Sequence, residues 1–323
     1  VCAVAQNAMS ADRLDEYIDS ISRHFDLGEV VVTGTRTPKF LKDTPIQTRV
    51  ITSREIEKTD ATNIQDLLQQ ELPGVEFSYA MNQQTHLNFS GFGGQGVLFL
   101  IDGERLAGET MDDVDFTRLN MDNVERIEIV TGAASPRSGS NATGGVINII
   151  TKKTDKPWTL NVNGRLARHN EQRYGASFGL NGKRLCNMFT ANYTDVDNFD
   201  VHSAADPVTR IISTVYGDRT LNLKDQLVWS PSRNVEIGGR VGYFFRQTTR
   251  TAGQPERYRD FSGGLRIDWT LSDHDMLQAN YAFDQYDKSD YQKLRKLDIR
   301  DYSNVRNTFS LLYNHTFGSG DIL

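Results

Sequence analysis

The feature that most constrains this chain is a two-residue alternation of apolar and polar side chains through its second half. From residue 158 onward, Trp158, Leu160 and Val162 alternate with threonine and asparagine. A period of two is that of a β-strand, whose successive side chains point to opposite faces. Eight segments share the pattern, each with one apolar, aromatic-rich face: 158–166, 174–180, 185–193, 221–229, 235–245, 261–269, 277–283 and 309–317.

The length and connection of these segments indicate strands that cross a membrane. About ten residues per strand span a bilayer at the tilt of a barrel. Short connections at Asn181-Gly182, Ser230–Arg233 and Leu271–Asp275 alternate with long polar stretches, which we expect to be loops at 195–219, 247–257 and 287–305. Short periplasmic turns and long extracellular loops are typical of outer-membrane barrels. The alternative is a soluble β-sandwich, whose strands are usually shorter.

Composition excludes two other classes of protein. The net charge of −6 gives no basic footprint for nucleic acid. The longest apolar runs, such as 97–101 and 146–150, fall far short of the roughly 20 residues of a membrane helix. Two cysteines, Cys2 and Cys186, match no metal-binding spacing. We therefore expect neither a nucleic-acid-binding protein nor a helical membrane protein.

The first half reads as a compact mixed α/β unit over residues 44–153. A strand at Thr48–Thr52 precedes a helix for which Ser53 is the expected N-cap, and a second helix covers Asn63–Gln70. Further strands are expected at 75–79, 97–102, 124–131 and 146–151.

The residues before this unit suggest two further segments. Residues 1–28 read as a signal-peptide remnant, with Ala3-Val4-Ala5 as a cleavage site, followed by an amphipathic helix. Next come Glu29, Val30, Val31, Val32 and Thr33, an extended β-branched run. Such a strand is suited to joining the edge of another protein's sheet, although an ordinary edge strand is the alternative.

Three ordered motifs resemble the plug domain of TonB-dependent outer-membrane receptors. They are Leu-Phe-Leu-Ile-Asp-Gly-Glu-Arg at 98–105, Asn-Val-Glu-Arg-Ile-Glu-Ile-Val-Thr-Gly at 123–132 and the glycine-rich block at 139–152. The resemblance covers residues 29–153 and departs from the family at Ser90 and at 135–138.

The resemblance implies a barrel of about 22 strands, closed by the plug, in the outer membrane of a Gram-negative bacterium. Residues 29–43 would be the TonB box and its linker, 44–153 the plug, and 154–323 the first part of the barrel. An eight-stranded barrel is filled by its own side chains, so we expect about 14 further strands in the intact receptor. The implied partners are TonB with its inner-membrane energising complex, and outer-membrane lipid. A surface lipoprotein is expected as a partner under the alternative of a receptor that mainly captures ligand or signals. The resemblance implies no enzymatic activity and no permanently bound cofactor.

Within that family the plug apex faces the incoming ligand, which gives the candidate binding residues. One polar loop carries Asn82, Gln83, Gln84 and His86. A second, between Arg105 and Asp115, carries Glu109, Asp112 and Asp113. His86 is a candidate ligand for haem iron, and a solvated loop histidine is its alternative. For the acidic run Asp112, Asp113 and Asp115, the expected role is a solvated loop rather than a cation site.

The predicted function is TonB-dependent import of a nutrient complex, with haem or another iron complex as the first candidate. Cobalamin import is an alternative. A surface receptor that captures ligand or signals is another, although the 28 residues before the TonB box are few for a folded signalling domain. The run Gly91-Phe-Gly-Gly-Gln-Gly96 spells a dinucleotide-binding motif, but a strand rather than a helix is expected after it, so the match is coincidental.

Overall fold

The computed structural model describes most of the chain from residue 48 onward and two short strands before it. The described ranges are 30–31, 39–40, 48–59, 61, 63–79, 85–89, 91–93, 96–105, 115–119, 121, 124–132, 142, 144–152, 154, 156–202, 211–251, 254–272, 274–317 and 321–322. The N-terminal strands β1 (Val30–Val31) and β2 (Lys39–Phe40) pair antiparallel. In the described residues, no helix is long and apolar enough to span a membrane.

The predicted plug is built on a five-stranded mixed sheet. Its strands are β3 (Thr48–Thr52), β7 (Val97–Ile101), β8 (Glu104–Arg105), β9 (Val124–Thr131) and β10 (Gly145–Thr151), in the order β3-β9-β10-β7-β8. Strands β7 and β10 are parallel, and β9 is antiparallel to both of its neighbours. Ile51, Ile127, Ile129 and Ile147 are fully buried because their side chains face the helices. This sheet carries the hydrophobic core of the plug.

Two helices cover one face of that sheet, and both begin with a polar cap. In α1 (Ser53–Thr59), the Thr52 amide donates to Glu55 Oε2 at 2.7 Å, and the Glu55 amide reaches back to Thr52 Oγ1 at 3.4 Å. This is a capping box, so the prediction of Ser53 as N-cap is wrong by one residue; Thr52 is better placed because Glu55 stands three residues after it. The Asn63 side chain caps α2 (Ile64–Glu71).

A second, three-stranded antiparallel sheet lies in the plug. It contains β4 (Val75–Tyr79), β5 (Thr85–Phe89) and β6 (Phe92–Gly93). The sequence predicts β4 only, because the polar residues around His86 conceal the alternation of β5. Buried Leu87 and Phe89 nevertheless point one face of β5 into the plug core.

The second half of the chain forms a nine-stranded antiparallel sheet, the wall. Its strands are β11 (Trp158–Ala167), β12 (Glu171–Asn181), β13 (Leu185–Asp195), β16 (Asp218–Ser232), β17 (Val235–Thr251), β18 (Gln254–Thr270), β19 (Asp275–Gln292), β20 (Leu297–Phe317) and β21 (Asp321–Ile322). Each of the eight segments read from the alternation lies inside one of these strands. The wall's outward face exposes its apolar side chains, as at Leu160 (59%), Phe309 (72%) and Leu311 (63%).

The connections differ from the expected loops at three places. Residues 247–251 and 254–257 belong to β17 and β18, and residues 287–292 and 297–305 belong to β19 and β20. Within 195–219, β14 (Phe199–His202) pairs antiparallel with β15 (Ile211–Val215). These strand ends are rich in charged and polar side chains, with only scattered apolar residues such as Leu297 and Ile299, so hydropathy does not reveal them. Cross-strand ion pairs such as Lys288–Asp301 at 3.1 Å hold them together instead.

Candidate functional site at the plug–wall junction

Arg118 ties the plug to three wall strands at once. It ends a short 3₁₀ turn (Phe116–Arg118), and its side chain is 3% exposed. Arg118 Nη2 lies 2.9 Å from Asp260 Oδ2 on β18 and 3.1 Å from Asp284 Oδ2 on β19. The side-chain amide of Asn222 on β16 donates from Nδ2 to the backbone carbonyl of Arg118 at 2.9 Å. One plug residue therefore fixes the position of the turn against β16, β18 and β19.

Asp115 makes the second half of this junction from the same turn. Asp115 Oδ1 accepts from the Thr117 amide and hydroxyl, which caps the turn, and from Arg246 Nη1 of β17 at 2.8 Å. Its Oδ2 accepts from the Tyr286 hydroxyl at 2.8 Å. The expectation of a solvated acidic loop is wrong for Asp115, because this carboxylate is buried as both a cap and a wall contact.

Aromatic rings of the wall cover the two arginines. The Arg118 guanidinium lies 5.0 Å from the ring centre of Tyr286, and that of Arg246 lies 4.0 Å from the ring centre of Tyr258. A cation over a ring face is attracted by the ring quadrupole, more strongly where water is excluded. Tyr258 and Tyr286 are themselves buried, so the charges and rings form one compact cluster.

The charge on Arg118 is secured by its neighbours. Burial on its own would lower the pKa of the guanidinium, but the carboxylates of Asp260 and Asp284 outweigh burial and raise the pKa further above its usual range. Arg118 therefore stays charged at any pH the protein meets, and the junction cannot be released by deprotonating it.

The junction is incompletely satisfied on the wall side. Asp260 and Asp284 each give one oxygen to Arg118, and the Oδ1 atom of each is buried with no hydrogen-bond partner among the described residues. A buried polar atom without a partner costs about 1–3 kcal/mol. Desolvation of the ions offsets much of their attraction as well. The network thus fixes geometry more than it adds net stability.

A second contact joins the Asp-Gly turn of the plug to the wall. Asp102 has φ 51° and Gly103 φ 82°, the left-handed backbone that this dipeptide tolerates. Asp102 accepts from the Thr151 amide and hydroxyl, and Gln226 of β16 donates to Asp102 Oδ2 at 3.1 Å. The turn between β7 and β8, the end of β10 and the wall therefore share one polar cluster.

Between these two contacts lies a small cavity with unlike sides. The plug lines it mainly with apolar Ile101, Leu119, Val124 and Ile149, and the wall with Thr190, Asn192, Asn222 and Lys224. A polar wall facing an apolar plug surface packs less completely than a core does. The described interface therefore leaves a small unfilled space at this point.

Four of the predicted site residues lie in described strands. Val30 and Val31 lie in β1, Arg105 in β8 and His86 in β5. The remaining candidates lie outside the described residues: Glu29, Val32, Thr33, Asn82, Gln83, Gln84, Glu109, Asp112 and Asp113. Of the predicted apical residues, the structure describes only His86 and Arg105, so the role of the group in binding stays a prediction.

His86 is placed differently from the expectation of a loop. It is exposed and pairs with Ser78 in the β4–β5 ladder. In the described part of the chain, no three His, Cys, Asp or Glu side chains are grouped so as to hold a metal ion. An exposed strand histidine can still meet a ligand, so its role as an iron ligand stays a prediction.

The residues that form the junction were missed by the sequence reasoning, although a signal was present. Arg246, Asp260 and Asp284 occupy the polar phase of their strands, which faces inward. An ionisable residue at membrane depth usually faces the interior and has a partner. That rule would have selected them, although not Arg118 as the partner.

A family comparison decides what this arrangement belongs to. Residues 41–146 match the model of the "TonB-dependent Receptor Plug Domain". Residues 41–146 are a TonB-dependent receptor plug domain, and the plug and wall together share the fold of TonB-dependent β-barrel receptors. Receptors of this family are β-barrels of the Gram-negative outer membrane, so the predicted fold class and location are confirmed.

Curated relatives support the assignment over different lengths. The chain is 35% identical to the vitamin B12 transporter BtuB of Vibrio cholerae over 153 residues, 47% of this chain and 25% of that protein. It is 28% identical to the ferric enterobactin receptor PirA of Pseudomonas aeruginosa over 299 residues, 84% of this chain and 40% of that protein. This chain thus spans well under half the length of either relative.

Solved structures share the fold. The siderophore receptor PiuA of Acinetobacter baumannii superposes with a TM-score of 0.69 at 15% identity, over 89% of this chain and 45% of that one. The ferric yersiniabactin receptor FyuA of Yersinia pestis gives 0.66 at 16% identity, over 85% and 46%. At these identities the likeness concerns architecture: a plug packed against a barrel wall.

Proposed function

We propose that this receptor imports a nutrient complex across the outer membrane, using energy delivered by TonB. The observation that carries the proposal is the buried junction of Arg118 with Asp260 and Asp284, which holds the plug against the inner face of the wall. The contacts of this junction have to be broken before the plug can move away from the wall. A passage sealed in this way needs work to open, and a pull through the plug's N-terminal segment would supply it.

The proposed attachment point of that pull is the strand around Val30 and Val31. Its β-branched residues adopt an extended backbone in β1. An extended segment joins a partner sheet through main-chain hydrogen bonds. We assign Glu29, Val30, Val31, Val32 and Thr33 to the TonB box on this basis, with TonB and its inner-membrane complex as partners.

The transported ligand is proposed to be an iron complex. The ferric enterobactin receptor matches along 84% of this chain, which includes wall strands, whereas the vitamin B12 transporter matches along 47%. Haem remains a candidate iron complex because of exposed His86, and cobalamin is the alternative. The ligand would be cargo and not a resident cofactor, and no catalytic step is proposed.

The coupling test replaces Val31 with proline, which removes the amide donor that an added strand needs. We expect growth on the transported iron complex to be lost in Val31→Pro and kept in Val31→Ala, which retains the amide. Ligand binding to cells should be equal in both variants. Normal uptake by Val31→Pro would contradict the mechanism.

The ligand test titrates the purified whole receptor with haemin, ferric enterobactin and cobalamin in turn. A haemin Soret shift that weakens in His86→Ala, but not in His274→Ala, would assign haem to His86. Saturable binding of the siderophore with no haemin shift would select a ferric siderophore. Binding without TonB-dependent uptake would instead favour a surface capture or signalling receptor, the second candidate function.

A further inference from the structure

The outward face of the wall carries a group of arginines immediately beyond its apolar band. On β18 the outward side chains are in phase with exposed Phe261, Leu265 and Trp269, and the ladder to β19 runs unbroken over residues 256–270. Arg257 and Arg259 share that phase, whereas buried Tyr258 and Asp260 face the interior. Both arginines therefore point away from the lumen.

Their height along the strand places them at the membrane surface. From Trp269 to Phe261 the strand rises roughly 20 Å along the barrel axis at its usual tilt, close to the 25 Å of an outer-membrane apolar band. Arg259 and Arg257 follow as the next two outward residues. The short connection that follows Thr270 marks the periplasmic end of β18. Arg257 and Arg259 lie at the opposite, extracellular end.

The arginines are held in a fixed arrangement. Arg257 Nη1 and Arg259 Nη2 both donate to Asp298 of β20, at 3.2 and 2.7 Å. Arg257 Nε donates to Gln247 at 2.9 Å, and its guanidinium lies 3.4 Å from the ring centre of Tyr291. Long side chains ordered in advance lose less entropy when they bind.

Charge and free donors remain after these contacts. Arg300, two strands from Arg257, is 62% exposed and lies 3.4 Å from Asp287. Three arginines against Asp298 and Asp287 leave a charge of +1, obtained as 3 − 2. Arg259 Nε and Nη1 have no hydrogen-bond partner among the described residues. Guanidinium groups bind phosphate through paired N–H donors.

We propose that Arg257, Arg259 and Arg300 form a binding site for the phosphorylated headgroup of lipopolysaccharide in the outer leaflet. The acyl chains would lie on the apolar band below, along Phe261 and Leu265. Cationic side chains next to an anionic membrane surface are attracted to it. The alternative role is a structural ion-pair network that joins β18 to β20 and binds no lipid.

The experiment measures how much lipid A the whole receptor retains in detergent, by native mass spectrometry. Arg257→Gln/Arg259→Gln should lower retention on the order of tenfold. Arg266→Gln is the matched control, because it removes an arginine from the same strand that faces the lumen beside Asp268. Dephosphorylated lipid A should bind the native receptor as weakly as intact lipid A binds the double variant. Free inorganic phosphate should displace lipid A only at concentrations far above that of the lipid.

Asp298→Asn separates the lipid site from the structural network. Removing the carboxylate frees both guanidinium groups, so lipid A retention should rise or stay level while melting temperature falls. A purely structural network predicts that Asp298→Asn and the double arginine variant both melt earlier with lipid retention unchanged. Equal retention of lipid A by the native receptor and the double variant, or retention independent of the lipid's phosphates, would overturn the proposal.

Discussion

The plug and the wall use the same apolar residues in opposite ways. In the plug, Ile51, Ile127 and Ile129 are fully buried under two helices. In the wall, Leu160, Phe309 and Leu311 are between 59% and 72% exposed, and charged residues such as Asp260 are buried. The plug therefore has the apolar interior of a water-soluble domain, whereas the wall has an apolar outer face and a polar inner face. Arg118 and Asp115 of the plug contact that polar inner face. Burial has to be interpreted against the solvent of each face: water and protein for the plug, lipid for the wall.

The largest expected effect comes from removing the charge that joins the two regions. Arg118→Leu leaves Asp260 and Asp284 buried without their cation, so plug docking should lose about 3–5 kcal/mol. Hydrogen exchange of the β9 and β10 amides would report the loss. Arg49→Leu breaks an exposed pair with Glu71 and should cost about 0–1 kcal/mol.

A triple variant sharpens that result. Arg118→Leu combined with Asp260→Asn and Asp284→Asn removes the uncompensated charge and should recover part of the lost protection. If the single variant exchanges like the native receptor, the junction does not hold the plug.

A smaller effect tests whether the apolar side chains of the wall face lipid, in contrast to the buried apolar side chains of the plug. Ile129→Ala opens a cavity in the plug core and should cost about 2–5 kcal/mol. Leu311→Ala trims a side chain that faces lipid, where lipid fills the space, and should change stability by well under about 1 kcal/mol. Chemical unfolding in lipid vesicles measures both. Comparable losses would mean that Leu311 is buried against protein and that the outward face is misassigned.

The smallest expected effect concerns the N-terminal cap of α1, which lies in the plug and has no counterpart in the wall. The Thr52 amide donates to the Glu55 carboxylate and lowers its pKa below the usual 4.5. A lowered pKa adds stability that is present above pH 4.5 and is lost as pH falls through the folded-state value.

Glu55→Gln should therefore lower plug stability by roughly 0.3–1 kcal/mol at neutral pH, less in high salt because the site is largely solvated. The difference between native receptor and variant should shrink below pH 4.5. Thermal melts at pH 7 and pH 3 check this. A gap that widens in acid would mean that the carboxylate does not stabilise the helix as an anion.

The sequence predicts the regular helices and strands of both regions because an element with one apolar face repeats apolar residues at the period of its own secondary structure. The alternation from Trp158 onward reveals every long wall strand, and helical spacing reveals α2. It does not reveal the polar strand ends of β17 to β20, where ion pairs replace apolar contacts and leave no hydropathy signal. Strand β5 escapes for a similar reason, since its polar phase around His86 resembles a loop.

The junction is harder to predict than the strands. The alternation places Asp260 and Asp284 on the inward face, but their partner Arg118 lies more than 100 residues earlier in a three-residue turn. Only the packing of the plug against the wall brings these groups together. The predicted apical residues, from Asn82 to Asp113, rest on family resemblance, and mutation of each is needed to test them.

The central claim is that the plug packs against the inner face of the wall, and a disulfide tests it directly. Thr151 Oγ1 of the plug and the Gln226 side chain of β16 lie 3.3–3.4 Å apart, while adjacent Leu227 points outward. In a receptor with Cys2 and Cys186 replaced by serine, mild oxidation of whole cells should join Thr151→Cys to Gln226→Cys and not to Leu227→Cys. A gel shift after proteolysis between plug and wall scores the bond. Equal cross-linking of both pairs, or none of either, would contradict the account.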